Sequence, residues 1–461
     1  MFKKNPFLPF FFSFLIALFS TTSSISFASS SLKELWKSPV GGRYTFFILP
    51  QADGTFVHVD GEEESFSTTA IVYRMDIMNI NQKGQINKKW SLSTEKIFTG
   101  KNGANQYLVS VQMKKGIATA YDLNGKKIWE YKAGSPIKWE GHHKDTTYLR
   151  VKDKIVVLSS AGKPVGSFKC NDAPVIGPDG SLYVIERPKE NQFALLKYNK
   201  LGKLQWKANI PAMQKQKDWS TPNAGISDVD LDISDKHVYV NIKYAMYHNR
   251  QSLSKSVRMI YAITSKGKVA WTVKTNIQDD VGYGSSITLV DVIDYKTGSL
   301  SFEGNVIYFI DNKGNRKKYF ETKDGGLTLV NNGFLIYKYK NKSASLMSLD
   351  LKTKWTMQFP KGVEGYIDFM ENNVVAFKPY DFDLEEEESY YDSEEEINSE
   401  EEETSQPLQQ KRSYIQYMYV YGNYIGAYES DEKFNIVAVD EKKRIIYIRQ
   451  NKTKVLQALQ Y

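Results

Sequence analysis

The chain has 461 residues, 41% of them apolar and 13% aromatic, with 61 bases against 53 acids and a single cysteine, Cys170. One cysteine excludes an intrachain disulfide, so stability has to come from packing, and a chain this long can bury one large core or a series of small ones. The net charge of +8 conceals an asymmetry: residues 381–403 hold 14 acids and no base, which leaves 61 bases against 39 acids, or +22, on the rest.

The N-terminus opens with Lys3 and Lys4, followed by the apolar run Phe7 to Phe19 and by small residues at Ser26-Phe27-Ala28. That order is a secretory signal peptide over residues 1–28, cleaved near Ala28. The run is shorter than the roughly 20 residues that cross a bilayer, and an uncleaved anchor is the alternative. No cysteine stands at the cleavage site for acylation, and no second apolar run of spanning length follows. The expected location is therefore secreted or extracytoplasmic, in the cell envelope. Without Lys3 and Lys4 the folded body carries about +20, a charge that attracts anionic polymers or anionic membranes.

From residue 76 onward one unit recurs. An alternating apolar stretch ends in a polar residue, a turn with Gly-Lys or a close variant follows, and a second stretch closes on an aromatic. The sharpest copies run from Thr119 to Gly134, from Ala194 to Pro211 and from Met259 to Thr275. Weaker copies start at Asp76, Val156, Val306, Ser345 and Asn435. A polar residue precedes an aromatic by seven positions in Asp122/Trp129, Asn199/Trp206, Thr264/Trp271 and Asp440/Tyr447. Trp90, Trp129, Phe168 and Trp206 step by 39, 39 and 38 residues. Strand-forming units at a period near 40 point to propeller blades.

The chemistry of the unit agrees. Alternation with period two marks strands, and Gly125, Gly202 and Gly267 stand where a tight hairpin requires positive φ. Trp129, Trp206 and Trp271 are large enough to fill the gap between blades. A four-stranded blade cannot bury its own faces, whereas a closed ring of blades can. Residues 173–184, 51–59 and 234–240 supply the first hairpin of a blade, and no helical period of useful length appears after residue 28.

The stretch Gly177 to Trp206, reading GPDGSLYV and then LLKYNKLGKLQW, resembles the PQQ-like β-propeller repeat family. The resemblance implies eight blades and admits both quinone-dependent dehydrogenases and non-catalytic scaffolds. An all-β propeller is expected over 29–461, with eight four-stranded blades, or seven, near 42–97, 98–134, 135–171, 172–212, 219–276, 277–322, 323–362 and 363–452. Leu32 to Trp36 reads as a closing strand able to complete the last blade. Residues 381–410 form an acidic insertion within that blade, expected as a disordered solvated loop, with an electrostatic tether or a weak calcium-binding loop as the sharper reading.

Three groups compete as sites. Asp228, Asp230 and Asp232 alternate like calcium ligands, but the sixth and twelfth positions of an EF-hand loop would be Ile233 and Tyr239, so acids on one strand face are the better account. His142 and His143 beside Asp145 point to opposite faces if they lie in a strand, and a turn is expected there. Cys170 is expected to be buried and inert. The family's dehydrogenases carry an adjacent Cys-Cys pair that is absent here, and no common catalytic motif is present. The expectation is a non-catalytic scaffold with no cofactor and no bound metal. It would be a monomer that binds a protein or an anionic envelope polymer and no nucleic acid, with peripheral membrane contact compatible with its charge. The alternative is a PQQ- and calcium-dependent oxidoreductase of alcohols or sugars.

Overall fold

The computed structural model describes residues 32–41, 44–51, 55–67, 70–102, 105–217, 219–225, 229–247, 254–275, 290–323, 325–330, 333–338, 340–361, 363, 365–371, 373–379 and 414–461. The expected signal peptide and the acidic run 381–403 lie outside them. The described residues contain no helix.

The strands form nine antiparallel four-stranded sheets. Eight are built from consecutive strands, over 44–94, 96–132, 137–169, 175–210, 229–274, 290–321, 326–358 and 365–430. The ninth combines three strands from 434–460 with Lys33–Pro39, which pairs antiparallel with Val455–Gln460. The first strands of neighbouring sheets touch. Tyr44–Pro50 meets Phe434–Asp440, and Val229–Ile233 meets Val290–Tyr295. The first strand of each blade therefore lines the hub, the fourth lies at the circumference, and the ring is closed by the N-terminal strand of the ninth blade.

The core is a ring of seams. Tyr183, Phe193, Val240 and Tyr261 pack blade four on blade five. Tyr239, Ile260, Val292 and Ile310 join five to six. Trp36, Phe56, Met78 and Tyr447 join nine to one. Each blade thus buries its two faces against its neighbours, which no blade could do alone.

The outer hairpins show why the repeat has its spacing. In blade two Gly125 has φ +82° and donates its N–H to Asp122 O at 3.0 Å. Asp122 Oδ1 accepts the N–H groups of Asn124 and Lys126 at 2.9 and 2.8 Å. Asn199 does the same for Leu201 and Lys203, and Asp311 for Lys313 and Asn315. A register shift follows at the same place in blades one to five, a bulge that turns the outer strand. The polar residue seven before the aromatic is thus the cap of its own turn.

The blade count expected from sequence is corrected: there are nine blades, not eight or seven. The first seven spans fall where expected, but 363–452 divides into two. The outer hairpin of blade eight is Tyr414–Val420 and Asn423–Ser430, whose turn reads Tyr-Gly-Asn without lysine and whose outer strand has no tryptophan. The unit from Asn435, read as an outer hairpin, is the inner hairpin of blade nine. The expected closing strand does complete the last blade. The acidic segment joins the second and third strands of blade eight, so it belongs to the penultimate blade.

Strand alternation fixes the two faces of the disc. Turns between first and second strands and between third and fourth strands emerge on one face. Turns between second and third strands, and the links between blades, emerge on the other.

Candidate functional site

A cavity of about 410 Å³ opens at the hub among the inner strands of blades four, five and six. Its wall is part acidic and part apolar. Asp172, Asp230, Asp232 and Asp291 supply four carboxylates, and Val175, Tyr183, Ile185, Leu231 and Val290 supply the apolar surface. Alternation along Val229–Ile233 brings Asp230 and Asp232 to the same side of one strand. The adjacent inner strand, Val290–Tyr295, contributes Asp291 across the seam.

The four acids have different surroundings. Asp232 accepts the Val292 N–H at 3.1 Å across the seam. Burial, reinforced by the charges of Asp291 and Asp230, pushes its carboxyl up to about 7. Asp291 is raised as well, by burial and by Asp230. Asp230 is largely exposed and lies 3.8 Å from Nη1 of the buried Arg258. Asp228 lies outside the described residues. Among those residues no group of three or more side chains could hold a metal ion, so the geometry assembles a concave acidic wall around open space.

Asp294, farther along the same seam, is fully engaged. It accepts from the N–H groups of Lys236 and His237, from His237 Nδ1 at 2.7 Å and from Tyr239 Oη at 2.7 Å. These bonds hold its carboxyl below the usual range against the effect of burial. The seam between blades five and six thus contains one satisfied carboxylate and, at its cavity end, carboxylates that face one another.

Sequence reading singled out Asp230 and Asp232 but missed Asp172 and Asp291. They are 60 or so residues away on either side, and neither belongs to an alternating run of acids like the one at Asp230 and Asp232. The signal available was the position each occupies, at or just before the inner strand of a blade.

The remaining candidates are engaged in packing or hydrogen bonds within the ring. Trp129 covers Gly162, Trp206 covers Gly267, and Trp271 lies against Gly314, while Gly125 and Gly202 lie beneath Trp90 and Phe168. Nε1 of Trp206 donates to Ser265 O at 2.9 Å, pinning the turn of the next blade. His142 and His143 end the inner strand of blade three rather than forming a turn. They separate as alternation requires: His142 bonds to Thr147 Oγ1 and Lys144 O, and His143 reaches Pro178 O of blade four. Cys170 is buried, its Sγ donating to Asp172 O at 2.9 Å.

The wall presents four carboxylates and no tryptophan or cysteine, so on its own it repels a polycarboxylate such as PQQ.

No family model matches the sequence, and no curated protein is significantly similar to it. Solved structures do match the chain. A crystal structure of a eukaryotic initiation factor has a TM-score of 0.47 at 8% identity, covering 87% of this chain and 90% of that one. The dihydro-heme d1 dehydrogenase NirN, in complex with DHE, gives 0.35 at 12% identity over 74% and 69% of the two chains. The WD40 domain of SCAP from fission yeast gives 0.31 at 9% identity over 79% and 94%.

Proposed function

We propose that this chain is an exported, non-catalytic binding scaffold of the PQQ-like repeat type, and that the hub cavity receives a protein segment bearing lysine or arginine. The cavity carries the reading. It is a concave site, lined largely by apolar side chains with a few convergent polar groups, as ligand sites are. Four carboxylates from three blades supply a negative wall in a chain whose remaining charge is strongly positive, which selects cationic segments and disfavours anionic ones. The rigid ring holds those carboxylates in place, so a partner need not order them on binding.

The test is capture from an extract of the organism's own envelope with the immobilised chain, compared between wild type and an Asp230→Asn/Asp291→Asn variant. Loss of a retained protein in the variant supports the reading, provided both proteins melt alike. Identical retention by both overturns it. Stoichiometric uptake of PQQ with calcium, with dye reduction on alcohols or sugars, overturns it in favour of an oxidoreductase.

A further inference from the structure

The hub cavity is lined at the starts of the inner strands, toward the face of the links between blades; the opposite face carries the outer hairpin turns, and two kinds of side chain recur on its rim. Lys83, Lys126, Lys163 and Lys203 stand in the outer turns of blades one to four, each beside the turn glycine, and all four are exposed. None of them forms an ion pair among the described residues, whereas their neighbours Lys89 and Lys127 bond to Asp76 and Glu130. Beside these lysines stand exposed aliphatic residues. Ile86, Ile128, Val165 and Leu204, at 37, 51, 46 and 48% exposure, each lie between the turn glycine and the closing aromatic of their blade. Leu35 on the closing strand of blade nine and Leu201 in the turn of blade four extend the series, so six of the ten large exposed apolar residues described lie on one arc of five consecutive blades.

Single exposed aliphatics are ordinary on a protein surface. Recurrence in the same outer hairpin of four successive blades is not: each of the four is 37–51% exposed, while the closing aromatic of its blade packs against the turn glycine of the next. We propose that this arc docks on an anionic lipid bilayer, its lysines in the headgroup layer and its aliphatic side chains at the acyl boundary. The turns of all blades emerge at one level by strand alternation, so a flat surface touches them together. The apolar residues are spread one or two to a blade along a convex edge. They form no groove for a peptide, but a laterally fluid surface accepts them singly. Lysine is a hydrated point charge suited to a diffuse layer of phosphates, and a soluble polyanion would leave the aliphatics in water. This surface is independent of the hub cavity, whose lining lies at the starts of the inner strands, away from the outer turns.

The test is co-sedimentation of the purified chain with vesicles of phosphatidylcholine alone and with 30% phosphatidylglycerol. Binding should be at least tenfold stronger to the anionic vesicles and should weaken as salt rises, since the screening length falls to about 8 Å at physiological ionic strength. Changing Lys83, Lys126, Lys163 and Lys203 to Glu should remove that preference. Ile128→Ser/Val165→Ser/Leu204→Ser should weaken anionic-vesicle binding at least fivefold with the melting temperature unchanged. A charge-matched control on the other face changes Lys114, Lys115, Lys152 and Lys154 to Glu, and should bind as wild type does. Equal loss in the control, no preference for anionic vesicles, or full binding by the serine variant would each overturn the proposal, the last by pointing to a soluble anion. None of these outcomes bears on capture by the hub.

Discussion

The indole of Trp129 lies against Gly162 of the next blade so closely that a Cβ on that glycine would sit 2.5 Å from Cδ2 of the ring. Gly134 has the same φ, +71°, but nothing within 4 Å of the place its Cβ would take. The pair separates conformational strain from contact. Gly134→Ala should cost about 1–2 kcal/mol, the cost of a left-handed alanine. Gly162→Ala should cost about 1–3 kcal/mol more, since the indole must move in a packed seam. Chemical denaturation measures both. Combining Gly162→Ala with Trp129→Ala should recover the excess as a coupling energy, and equal costs for the two glycines would show that the indole contact carries no weight.

The same contact closes the ring. Trp36 covers Gly84 and stacks on Phe56 with centroids 5.4 Å apart, although the chain enters and leaves the ring at opposite ends of its sequence. Trp36→Ala should cost about 3–5 kcal/mol and free Lys33–Pro39 from its partner. The amides of Val455–Gln460 should then exchange with solvent at a rate near that of an exposed edge. Trp206→Ala should leave those amides protected, because it opens a different seam.

How far the fold could be read depended on how much of each unit was local. The cap, the turn glycine and the closing aromatic of blade two lie within eight residues, Asp122 to Trp129, so their spacing is visible in the chain. Blade eight replaces lysine with Asn423 and tryptophan with Tyr428, and long connections separate its hairpins. Its aromatic serves the same seam by another route, Tyr428 bonding to Gln457 of blade nine. Blade seven has Leu351 at φ +61° where its neighbours have glycine, and its copy of the unit was correspondingly faint. The hub cavity was half legible: Asp230 and Asp232 alternate within one strand, but Asp172 and Asp291 join them only because ring closure sets three inner strands side by side.

Asp232 makes the stability of the hub depend on pH. Its folded carboxyl titrates at about 7, above its unfolded value of 3.8. The folded state therefore holds a proton that the unfolded state has lost, and stability falls as pH rises between about 4 and 7, with the full penalty present above 7. That shift would correspond to about 4 kcal/mol for a fully buried group, and partial solvent access lowers it to about 2 kcal/mol. Asp232→Asn keeps an acceptor for the Val292 N–H and removes the charge. It should raise stability by about 2 kcal/mol at pH 8.5 and change it little at pH 4. A stabilisation equal at both pH values would show that the carboxylate is not destabilised in the folded chain.

Cys170 offers a direct reading of seam opening. It packs among Tyr148, Ile155, Leu182 and Tyr198, where blade three meets blade four, and its side chain is directed at Asp172 O rather than at solvent. Burial pushes the thiol up to about 11. At pH 8 about one thiol in 1,000 is then ionised, against roughly one in four for an ordinary cysteine, and only the thiolate attacks. Alkylation by iodoacetamide should therefore be at least 100-fold slower in the folded chain than in denaturant. The residual rate should rise on Gly202→Ala, which presses a methyl group into Phe168 on the same seam, 2.7 Å from Cδ1, and should stay unchanged on Gly314→Ala two seams away. Intact-mass measurement follows the reaction. Rapid alkylation of the wild-type chain under native conditions would show that blades three and four part readily, and that the third seam is the weak joint of the ring.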